Sequence, residues 1–108
     1  MRRLQRQLPF LQSVLTQANR NKRHDLLQHA NADQINAISE LVLNLLKNRI
    51  PVTPELMRKL RPHKDMLRGL SKRSHSLKKR RDLLLQQSGR SLFNTLYTLL
   101  CQCLNKRP

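Results

Sequence analysis

The clearest apolar stripe in this chain runs through its middle, where Ile35, Ile38, Leu41, Val42, Leu45 and Leu46 step along one face at the spacing of an α-helix. Asn31 and Asp33 are good N-cap types, and Asn31 followed by Gln34 makes a capping box. A buried helix is therefore predicted from about 32 to 48. Asn36, Ser39, Glu40, Asn44 and Lys47 fall on its other side, which is expected to face solvent.

Before it, Pro9 suits a helix start, and Phe10, Leu11, Val14 and Leu15 recur at helical spacing, predicting a short amphipathic helix from about Leu8 to Asn19. Its flanking cations, Arg2, Arg3 and Arg6 on one side and Arg20, Lys22 and Arg23 on the other, are free to reach phosphates. Asp25 to His29 reads as one more helical turn.

After it, Thr53-Pro54-Glu55 joins a capping hydroxyl, a proline at the first helical position and an acid in the first turn. Pro62 removes an internal hydrogen bond, so the segment is divided into a helix over 54 to 61 and a second over 62 to 70. Met66, Leu67 and Leu70 give the second its apolar face. The stretch GLSKRSHS, 69 to 76, marks a break. Ser76 then caps a helix over 77 to 87 that ends at Gly89, and Ser91 starts a last one. Its broad apolar face comprises Leu92, Phe93, Leu96, Tyr97, Leu99, Leu100, Cys103 and Leu104. That face is expected to pack across the Ile35 to Leu46 helix, with docking to a partner or a bilayer interface as the alternative.

These elements predict an all-α fold, a small bundle of about four to six short helices with a basic face and an N-terminal arm that can be flexible. A chain of 108 residues has a thin core, and with aromatics at 3% that core is aliphatic. The organisation expected is an arm over 1 to 30, a basic helical domain over 31 to 89, and an amphipathic helix over 90 to 108.

Charge changes the picture more than composition does. The formal net charge is +16, and half of the 22 basic residues lie between Met57 and Arg81: Arg58, Lys59, Arg61, Lys64, Arg68, Lys72, Arg73, Lys78, Lys79, Arg80 and Arg81, against the single acid Asp65. Such a segment calls for a polyanion, because each phosphate neutralised by Lys or Arg releases condensed counterions. These residues are the candidate nucleic-acid-binding set, helped by Ser71, Ser74 and Ser76 as phosphate donors. The four consecutive cations Lys78 to Arg81 circle their helix, so one turn of it is not expected to be buried without an anion beside it. Base reading is not expected, since the stretch has no aromatic to stack on a base. DNA is the expected partner, with RNA sharing every electrostatic feature.

Other classes find little support. The six acids are dispersed, and no Ser, Cys or His has a visible catalytic partner, so an enzyme is not expected and no catalytic residue is nominated. His24, His29, His63 and His75 are scattered, and Cys101 and Cys103 lie two apart, so neither a structural metal, a cofactor nor a disulfide framework is indicated. There is no run of about 18 apolar residues.

The segment 37 to 89 resembles the small basic proteins encoded by adintoviruses and related polinton-type DNA elements, which are compared with the condensing core peptide of adenoviruses. The resemblance is carried by Asn44 to Leu46 at a helix end, the turn Ile50 to Thr53, the Leu-spaced basic helix Lys59 to Leu70, the block Lys78 to Arg81, and Gln86 to Gly89 before an apolar tail. This chain has Gln87-Ser88-Gly89-Arg90 where that family has Gly-Gly. The resemblance implies a DNA-condensing role in a virion or host nucleus, and a proteolytic cut near Gly89. Partners beyond DNA would be a capsid protein or a second copy, met through Leu92, Phe93, Leu96 and Leu100; a membrane surface ranks behind them.

Overall fold

The computed structural model describes residues 2–47, 52–72, 74–86 and 91–105, without the side chains of 91 and 103–105. The described residues form helices and short connections, with no strand among them, so the all-α expectation holds. In chain order the helices are α1 (Arg2–Arg6), α2 (Leu8–Thr16), α3 (Arg20–Gln28), α4 (Ala32–Leu46), α5 (Pro54–Leu60), α6 (Lys64–Ser71), α7 (Leu77–Leu85) and α8 (Ser91–Asn105), with a 3₁₀ turn Arg61–His63 between α5 and α6.

Four helix starts, those of α3, α4, α5 and α7, are set by a side-chain cap. Asn31 Oδ1 accepts from the Gln34 N–H and Gln34 Oε1 accepts from the Asn31 N–H, both at 2.8 Å, so the expected capping box starts α4. Thr53 Oγ1 accepts from the Leu56 N–H and Ser76 Oγ from the Lys79 N–H, starting α5 and α7 as expected. Each such cap contributes about 1 kcal/mol. Pro62 sits in the 3₁₀ turn, where the i→i+3 pattern absorbs the bond that proline denies an α-helix.

The N-terminal third departs from expectation. The helix read as reaching Asn19 ends at Thr16, because Gln17 is extended and Asn19 caps the next helix, its side chain accepting from the Lys22 N–H at 3.0 Å. The single turn expected at Asp25 to His29 is the end of the longer α3. Ahead of α2 the chain forms the extra turn of α1, whose Leu4 is fully buried.

The core is continuous. α4 lies at the centre and touches α1, α2, α6, α7 and α8; α8 lies against α2 and α5 as well as α4. Ile35, Ile38, Leu41 and Val42 of α4 meet Leu11, Val14 and Leu15 of α2 and Leu92, Phe93, Leu96, Leu99 and Leu100 of α8 in one buried cluster. The Leu92, Phe93, Leu96 and Leu100 face offered for docking is thus spent on the core, each of these residues being no more than 2% exposed. The radius of gyration is 12.8 Å, close to the ~13 Å expected at this length, so the charge does not prevent compaction.

Candidate nucleic-acid interface

The basic segment divides by what its side chains touch. Over α5, the 3₁₀ turn and α6, Arg58, Arg61, Lys64 and Arg68 are exposed and form no ion pair among the described residues. Lys59 is exposed too, with Glu55 one turn back at 3.8 Å, a pairing worth little in water. Lys72 is exposed at the end of α6, and Arg73 lies outside the described residues.

On α7 the four consecutive cations have two fates. Lys78 and Lys79 are exposed in the first turn, where there is no acid. Two cations beside the positive end of the helix dipole repel it, and an arriving anion relieves both. Arg80 and Arg81 turn inward. Arg80 Nη1 donates to Asn36 Oδ1 and to Ser39 Oγ, each at 2.9 Å, and Arg81 Nη2 donates to the Ala30 carbonyl at 2.6 Å. Burial pulls the Arg80 guanidinium below its ordinary range, though an arginine stays charged.

Two expectations are corrected here. The face of α4 expected to meet solvent is covered except at its end: Ser39 and Asn44 are buried, Asn36 and Glu40 are half-buried, and Lys47 is exposed as expected. The turn of α7 expected to need an anion is held in part by neutral oxygens instead: amide, hydroxyl and carbonyl oxygens accept from Arg80 Nη1 and Arg81 Nη2, while the Nε of each arginine is buried without a partner. A sequence signal existed for both. Leu77, Arg80, Arg81 and Leu84 stand at i, i+3, i+4 and i+7, an inward stripe, and Leu43 interrupts the polar side of α4.

Beside Arg80 lies a polar cavity of about 380 Å³, lined among others by Arg3, Asn36, Glu40, Asn44 and Ser71. Glu40 Oε2 and Arg80 Nε are buried there without a hydrogen-bond partner. The serines named as phosphate donors are partly engaged: the Ser71 hydroxyl donates to the Arg68 carbonyl, while Ser76 keeps its own proton to give because its cap role is as acceptor.

The cations expected to be free in the N-terminal arm are divided too. Asp33, in the first turn of α4, receives Arg3 Nε at 3.2 Å, Arg6 Nη2 at 3.3 Å and Gln7 Nε2 at 2.6 Å. The Gln7 hydrogen bond first, and then the charge of Arg6 and the hydrogen bonds of Arg6 and Arg3, hold the Asp33 carboxyl below the usual aspartate range against its partial desolvation. Arg23 is 2% exposed, donating to the Gln17 carbonyl at 2.9 Å with its guanidinium carbon 4.6 Å from the centre of the Phe93 ring. Arg2, Arg20 and Lys22 remain exposed.

Among the described residues no group of His, Cys, Asp and Glu could hold a metal ion, and no helix is long and apolar enough to cross a membrane. Cys101 is a half-buried free thiol; the side chain of Cys103 and the junction at Gly89, with the cut expected near it, lie outside the described residues. Comparison with protein-family models, with curated proteins and with solved structures finds no match.

Proposed function

We propose that this chain binds nucleic acid without sequence preference and condenses or organises a DNA genome by neutralising its phosphates. One observation carries the reading: in a chain of net charge +16, Arg58, Arg61, Lys64, Arg68, Lys72, Lys78 and Lys79 are exposed with no acid paired to them among the described residues. Each can exchange condensed counterions for a phosphate, and the entropy of that release supplies the affinity. Arg58, Arg61 and Arg68 add two-point hydrogen bonding to phosphate oxygens. The resemblance of residues 37 to 89 to the small basic proteins of adintoviruses and polinton-type elements supports a condensing role in a virion or host nucleus.

Arg80 and Arg81 belong to the scaffold in this reading, so the test must separate them from Lys78 and Lys79. Replacing Lys78 and Lys79 together by Gln lowers affinity for all duplex sequences alike and reduces the salt slope by up to about 2. Titration by fluorescence anisotropy over a salt series measures both. An unchanged slope in the folded double variant rejects α7 as part of the interface.

A further inference from the structure

The large hydrophobic side chains left exposed among the described residues, Leu46 at 39% and Met57 at 50%, open onto the same groove. This cavity of about 290 Å³ lies between the end of α4 and the α5–α6 pair, with Leu60 and Leu67 in its walls. Arg61, Lys64 and Arg68 line it as well. They stand at i, i+3 and i+7, spanning about 10 Å, or two turns of an apposed helix.

We propose that this groove is a docking site for an acidic amphipathic helix of a partner protein, whose apolar anchors enter between Leu46 and Met57 while its carboxylates meet Arg61, Lys64 and Arg68. Phosphates alone do not match the site, because a nucleic-acid backbone would leave the Leu46 and Met57 surface in water. A second copy of this chain does not match it either: its six acids are dispersed and its net charge of +16 repels its twin. An apolar floor with a cationic rim selects the opposite pattern, apolar anchors flanked by acids, as in helix-in-groove recognition. Because Arg61, Lys64 and Arg68 also belong to the nucleic-acid set, such a partner competes with DNA for them.

The test uses the full chain and two fluorescein-labelled peptides of about 16 residues, long enough for helix formation. Both contain the same Leu, Phe, Glu and Ala residues, one with the apolar residues at i, i+3 and i+7 and the other scrambled. The ordered peptide is expected to bind about tenfold more tightly than the scrambled one. Met57→Glu is expected to remove that difference while far-ultraviolet circular dichroism stays unchanged, because Met57 is half exposed. The pair Lys78→Gln and Lys79→Gln, outside the groove, leaves the ordered peptide's affinity within about twofold. Equal binding of the two peptides, or an undiminished preference in Met57→Glu, overturns the proposal. So does displacement of the ordered peptide by phosphatidylglycerol vesicles that Met57→Glu also fails to bind, which would make the groove a lipid site.

Discussion

Arg80→Ala separates scaffold from interface within one run of cations. The substitution removes two charge-assisted hydrogen bonds of 2.9 Å, to Asn36 Oδ1 and Ser39 Oγ. Bonds of this kind contribute about 1.5–3 kcal/mol each. The loss is offset by relief of the buried guanidinium, whose desolvation is visible in its lowered pKa, and by hydration of Asn36 and Ser39 through the adjoining cavity. The net expected cost is about 2 kcal/mol. For a chain of this size that lowers the unfolding temperature by on the order of 10 °C. Lys79→Ala removes the same charge from an exposed position and is expected to change stability by no more than about 0.5 kcal/mol. Differential scanning calorimetry reads both. DNA binding, measured well below both transitions, inverts the order: Lys79→Ala weakens it and Arg80→Ala leaves it within about twofold. An Arg80→Ala variant that melts with the parent, or one that stays folded and loses more DNA affinity than Lys79→Ala, refutes the assignment of Arg80 to the scaffold.

Three further outcomes follow from the packing. Asp33→Asn removes the anchor of Arg3, Arg6 and Gln7; since the folded carboxyl titrates below its unfolded range, the stability it contributes is present above about pH 4 and is lost as pH falls through the depressed value. Urea midpoints of parent and variant are therefore expected to differ at neutral pH and converge in acid; a gap that persists unchanged in acid refutes the pairing. Phe93→Leu keeps an apolar side chain at a fully buried site but removes the ring under Arg23, costing about 1–2 kcal/mol by chemical denaturation. Leu84→Ala, at the fully buried end of the α7 stripe, costs about 2–4 kcal/mol and, if α7 is held as described, speeds amide exchange in α7 before α4.

What could be read from the sequence was what local chemistry decides. The capping box at Asn31 and Gln34, the Thr53-Pro54-Glu55 start, the Ser76 cap and the division at Pro62 all concern neighbours in the chain, and all are found in the fold. The departures from the pattern come from contacts between distant residues. The pattern places a helix end at Asn19 because α3 has only Leu26 and Leu27 as an apolar signal, and its inward side is completed by Arg23, whose aliphatic stem and ring contact do the work of a hydrophobe. Arg3 and Arg6 look free in the sequence because Asp33 is far from them along the chain. For the candidate site, the exposed cations of α5 and α6 lie outward as the pattern implied. The split between Lys78, Lys79 and Arg80, Arg81 was written in the Leu77 to Leu84 stripe, but charge concealed it, since a run of four cations reads as surface until its neutral acceptors on α4 and Ala30 are known. The groove at Leu46 and Met57 was not legible at all, because it is made by three separate elements.

The central claim, phosphate neutralisation by unpaired cations, is tested most directly by binding of the full-length protein to duplex DNA, duplex RNA and heparin over a salt series. The account predicts binding to duplex DNA ahead of heparin, with a log–log slope of about −5 or steeper, as six or more phosphate contacts require. A shallow slope, or heparin competing as well as DNA, would contradict it and leave the basic face a general ligand for polyanions.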